Sequence, residues 1–60
     1  METSELLRIL KHLENVYDLM EQKRISIVGD TIENCNLRIG IIEAQEIVLK
    51  YKSKLINEVE

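Results

Sequence analysis

The chain has no proline, no phenylalanine and no tryptophan, and its 60 residues include only two glycines, two tyrosines, one cysteine and one histidine. Each scarcity excludes something. With no proline and glycine only at Gly29 and Gly40, there is little to punctuate a loop-rich fold, and long helices are what remains. Cys35 has no second cysteine for an intrachain disulfide, and Cys35 with His12 cannot furnish a four-ligand zinc site. Long apolar runs are missing too. Stretches such as Ile41-Ile42 and Ile47-Val48-Leu49 fall far below the roughly 20 residues of a membrane span. Met1-Glu2-Thr3-Ser4-Glu5 lacks the basic start of a signal peptide, so the expected setting is reducing and cytoplasmic, with no membrane partner.

What is present is 45% apolar and 32% charged, with a net charge of −3. That balance disfavours strong non-specific attraction to nucleic-acid phosphate or an anionic membrane. A domain of this length buries only about 60% of the surface its unfolded chain exposes. It therefore needs a staple, and with disulfide and metal excluded, self-association is the expected one.

In the first half, Leu6, Leu13, Met20 and Ile27 recur every seven residues, with Leu10 and Tyr17 between them and Ile9, Val16 and Val28 widening the stripe. This pattern predicts one amphipathic helix over about residues 4–28, with Thr3 or Ser4 as N-cap. The β-branched run Ile25-Ser26-Ile27-Val28 also fits a short strand, and helix is preferred there because Ile27 keeps the heptad phase. Gly29 suits a left-handed helix end. Asp30 can cap a second helix, and Glu33 three residues on imitates a capping box. A stop beside a start predicts a tight turn at Gly29 and Asp30, and an antiparallel partner helix over about 31–59. Gly40 inside that helix reads as close packing or simple tolerance rather than a hinge. The expected fold is thus all-α, one two-helix hairpin domain spanning 1–60.

The second helix carries two apolar series. Leu37, Ile41, Ala44, Val48, Tyr51, Leu55 and Val59 follow a 3-4 spacing and are expected to face the first helix. Ile32, Cys35, Ile39, Ile42, Leu49 and Ile56 form a second seam, rotated by roughly 140° and interrupted by Glu46 and Ser53. A hairpin offers each helix one neighbour, so the second seam is expected to meet another copy or another protein. Two hairpins would then form a four-helix bundle, as a homodimer or within a higher helical assembly.

No residues of obvious chemistry stand out. Cys35 fits packing, with Arg38 the only basic group spaced to approach it. His12 sits on a polar face. The pairs Asp18 with Glu21 and Glu43 with Glu46 lack the Glu-x-x-His partners of di-metal bundles, and Glu46 with Lys50 reads as an i,i+4 ion pair. No catalytic residue, metal ligand or cofactor is assigned. Arg8, Lys11, His12, Asn15, Gln22 and Lys23 form a polar, partly basic face on the first helix, though Glu5, Glu14 and Asp18 intrude and no aromatic side chain offers stacking.

In chain length, helix count and central turn the sequence resembles the Rop-type plasmid copy-number regulators. That likeness implies a dimeric four-helix bundle and, as the second functional reading, paired-RNA recognition by the Arg8–Lys23 face. Leu6-Leu7-Arg8 with Leu19-Met20-Glu21-Gln22-Lys23-Arg24 is loosely similar to the first helix of bacterial chorismate mutases. Those are longer three-helix chains with converging basic residues, which this chain does not match. The leading expectation is a small non-enzymatic regulator, inhibitor or adaptor that binds itself and another protein. A pure oligomerisation module is the third reading.

Overall fold

The computed structural model describes residues 2–59 and consists of α1 (Thr3–Ser26) and α2 (Ile32–Val59). Met1 and Glu60 lie outside the described residues. Side-chain bonds join residue 14 to 52, 21 to 45 and 27 to 38, so the two helices pack antiparallel as a hairpin.

The N-terminal boundary of α1 differs by a residue from expectation. Glu2 is the N-cap, with extended backbone (φ −68°, ψ 145°), and its carbonyl accepts the Leu6 N–H at 3.0 Å. Neither Thr3 nor Ser4 serves as the cap, and the cap position makes no side-chain bond. Glu5 in the first turn and Lys23 and Arg24 in the last complement the helix dipole.

At its other end α1 stops at Ser26, two residues short of the expected limit. Ile27 keeps the heptad phase and stays half-buried, but its backbone is extended (φ −82°, ψ 106°). Gly29 is therefore not the helix closure: it lies two residues beyond the C-cap and, at φ +104°, turns the connecting loop. Space is not the constraint there, since an added Cβ would meet only Asn34 Nδ2 at 3.4 Å.

The start of α2 is also shifted. Thr31 Oγ1 accepts the Asn34 N–H at 3.1 Å and the Thr31 carbonyl accepts the Cys35 N–H at 2.9 Å, which makes Thr31 the N-cap in place of Asp30. The Asp30–Glu33 capping box does not form; its place is taken by Thr31 and Asn34. At Gly40 a Cβ would meet nothing within 4 Å, so of its two expected readings the structure leaves simple tolerance.

The hairpin is a rod of 45 × 15 × 10 Å with a radius of gyration of 14.3 Å, against about 10 Å for a compact domain of this length. It exposes 4929 Å². A compact globular chain of 7.0 kDa exposes about 4,000 Å². The surplus has a simple cause: two parallel cylinders share one line of contact and leave most of their circumference bare. Among the described residues only Leu6 and Gln45 are buried.

Candidate functional site

The face of α2 turned to α1 overlaps the one its apolar residues select but is shifted from it. Ile41, Ala44, Val48 and Leu55 are half-buried there as expected, but Leu37 and Tyr51 are 52% and 59% exposed. Their places are taken by Arg38, Gln45 and Lys52, at intervals of seven residues. The contact line is rotated by about one heptad position, roughly 50°, from the apolar series. The side chain of Val59 lies outside the described residues.

The rotation is explained by what each polar side chain meets on α1. Lys52 Nζ donates to Glu14 Oε1 at 3.0 Å, and Gln45 Nε2 donates to Glu21 Oε2 at 2.8 Å. Arg38 Nη1 donates to the Ile27 carbonyl at 3.2 Å and to the Gly29 carbonyl at 3.0 Å, while its Nη2 donates to Cys35 Sγ at 3.3 Å. Asn34 Nδ2 fills the gap by donating to the Val28 carbonyl at 3.0 Å. Three rungs seven residues apart on α2 thus meet Glu14, Glu21 and the connecting loop. The loop carbonyls of residues 27, 28 and 29 all accept from α2, while α1 itself closes with the Ile27 N–H donating to the Arg24 carbonyl at 3.3 Å and the Ser26 hydroxyl donating to the Lys23 carbonyl at 2.7 Å.

Glu21 is the most constrained of these groups. It pairs with Arg24 in its own helix and accepts from Gln45, and the Arg24 bond first, then the Gln45 bond, hold its carboxyl below the ordinary value of 4.5. Gln45, at 5% exposure, has its polar atoms satisfied, as do the other buried side chains among the described residues. The Arg38–Asp30 approach is looser, at 4.0 Å with Asp30 in full contact with solvent.

Beside the rungs lies an open groove of about 320 Å³, lined by Leu13, Glu14, Tyr17, Asp18, Val48, Leu49 and Lys52. Its chemistry is an ion pair, a phenol and one carboxylate over an apolar floor. Arg38 meets the sulfur of Cys35, as its sequence spacing allows. His12 is exposed, and no group of three His, Cys, Asp or Glu side chains comes together among the described residues. No helix is long and apolar enough to cross a membrane.

The second seam is an exposed apolar stripe along α2. Ile32 (82%), Ile39 (53%), Ile42 (43%), Leu49 (47%) and Ile56 (43%) are exposed, and Cys35 is half-buried. They form a stripe roughly 36 Å long at 1.5 Å per residue. Arg8, Lys11, His12, Asn15, Gln22 and Lys23 are all exposed on α1, and none of them joins an ion pair among the described residues. Arg38, Gln45 and Lys52 were missed as functional residues in the sequence. No protein-family model matches the chain, and neither curated proteins nor solved structures include a match to it.

Proposed function

We propose that this chain is a non-enzymatic interaction protein, a regulator, inhibitor or adaptor, which self-associates into a helical bundle and binds another protein through helix surfaces. The observation that carries the reading is the surplus surface, about 900 Å² beyond a compact chain of equal mass, on a rod that exposes Ile32, Ile39, Ile42, Leu49 and Ile56 along one helix. That is close to the roughly 800 Å² each partner contributes to a standard protein interface. An apolar stripe running along a whole helix marks a binding site rather than ordinary surface. Helix-on-groove packing is the mode such a stripe serves.

Sedimentation equilibrium tests it. The expected outcome is a dimer or larger helical assembly at micromolar concentration, and a folded monomer of 7.0 kDa at tens of micromolar would overturn it.

The second reading is a Rop-like RNA binder, favoured by one observation: Arg8, Lys11 and Lys23 are exposed and uncommitted to ion pairs among the described residues. Titration of RNA hairpins at low and moderate salt separates the two. Phosphate contacts weaken steeply with salt, so salt-sensitive binding lost on replacing Arg8 and Lys11 by Ala would replace the protein-binding reading.

A further inference from the structure

We infer that the second seam of α2 is occupied by the same seam of a second copy, packed antiparallel about a two-fold axis that crosses α2 near residues 46–47. This rests on the self-association reading and specifies its geometry. Three observations lead to it. First, the apolar stripe runs most of the length of α2. The matching column of α1, on the same side of the hairpin, has exposed Leu7 near its start but Glu14 and Glu21 through its middle, both engaged by α2 side chains. The longer apolar partner for an α2 stripe is therefore another α2, since carboxylates interrupt α1 there.

Second, the surplus surface of the rod is of the size that one half of a standard dimer interface covers.

Third, the polar column flanking the stripe is self-complementary in one direction only. Asn36, Glu43, Lys50 and Asn57 recur every seven residues beside it, all exposed. A two-fold near residues 46–47 sets Glu43 of each copy beside Lys50 of the other, and Asn36 beside Asn57. It also brings Ile39 against Ile56 of the second copy, with Ile42 and Leu49 around the axis. A parallel arrangement would set each residue level with its own copy and would not pair Glu43 with Lys50. The two-fold brings the two Glu46 carboxylates within about one residue of each other at the axis, where Lys50, four residues on in each helix, is the cation in reach.

The native cysteine reports the geometry directly. An axis near residues 46–47 separates the two Cys35 residues by roughly 35 Å along the helices at 1.5 Å per residue. A spin label on Cys35 should give an interspin distance of about 35–45 Å, whereas a parallel pair would give one below about 20 Å and overturn the inference. Sedimentation of Leu49→Glu should show loss of the dimer. Were the wild type dimeric and Leu49→Glu equally so, this face would be excluded while self-association stood. A monomeric wild type would remove both.

Because loss of the dimer could unfold so small a chain, charge reversal gives a gentler test. Lys50→Glu and Glu43→Lys should each weaken the dimer about tenfold, each turning two attractive pairs into repulsive ones. The double variant should return to within about threefold of wild type. Failure of that rescue would overturn the antiparallel arrangement.

Discussion

The two seams of α2 differ in polarity against expectation. The one that faces α1 interleaves Arg38, Gln45 and Lys52, at seven-residue intervals, with the half-buried Ile41, Ala44, Val48 and Leu55, and the one left open to water carries Ile39, Ile42, Leu49 and Ile56. The difference is one of information. Apolar contact is non-directional and tolerates sliding, whereas a rung such as Gln45 on Glu21 exists only when the helices are in register. The inner seam therefore specifies how the hairpin closes. The outer one holds a continuous share of the apolar area still unburied, and with it free energy that assembly can still release.

The comparison breaks most severely at Arg38. Its guanidinium serves two loop carbonyls that nothing else on α2 reaches, and Asn34 holds the third. Replacement by Met keeps the length and apolar stem and removes the donors. Arg38→Met should cost about 1–2 kcal/mol, read from urea melts at fixed protein concentration, because hydrogen bonds from a charged group are worth roughly that much. A change under about 0.3 kcal/mol would mean that water satisfies the loop equally well and that the register is set elsewhere.

A subtler way to probe the inner seam is acid. Glu21 has its carboxyl held below 4.5 in the folded chain, first by Arg24 and then by Gln45. A depressed pKa contributes stability that is present above the unfolded value and lost as pH falls through the folded one. Melts should show a decline beginning below about pH 4.5, and Gln45→Leu should lessen that acid dependence without abolishing it, since the Arg24 contribution persists. Equal acid dependence in the two proteins would remove Gln45 from the account.

Much of this architecture is legible in the sequence, and what is not has a common cause. The two helices, the turn around Gly29 and the unpartnered Ile42–Leu49 seam follow from spacing within one helix. The contact line did not follow, because a helical wheel ranks Leu37 and Tyr51 above Gln45 and Lys52. The deciding partners, Glu14 and Glu21, lie across the turn. A signal was present: acids seven apart before the turn and Arg, Gln and Lys seven apart after it are complementary columns. The end of α1 was hidden for the same reason, since Ile27 leaves the helix with its carbonyl held by a residue eleven positions on. The shift from Asp30 to Thr31 as cap is a local choice between two good capping residues, decided by the Thr31 hydroxyl meeting the Asn34 N–H.

Gly40 sharpens the comparison with the smallest effect and the opposite sign. It belongs to neither seam: it stands in the interior of α2, is exposed, and a Cβ there would touch nothing within 4 Å. It lies on the far side of α2 from the rungs, next to Asn36 and Glu43 of the column proposed for the two-fold contact. Ala at this position adds no clash and loses less backbone entropy on folding, so Gly40→Ala should raise stability by about 0.5–1 kcal/mol. Dimer affinity should change by less than about threefold and the Cys35 label distance should stay unchanged, since an added methyl group removes no side chain from either surface. A loss of stability would show that Gly40 is in close contact with something in the assembled protein. The unburied surface of α2 would then extend beyond the stripe, and a second copy seated on the Ile42–Leu49 seam would account for only part of what covers this helix.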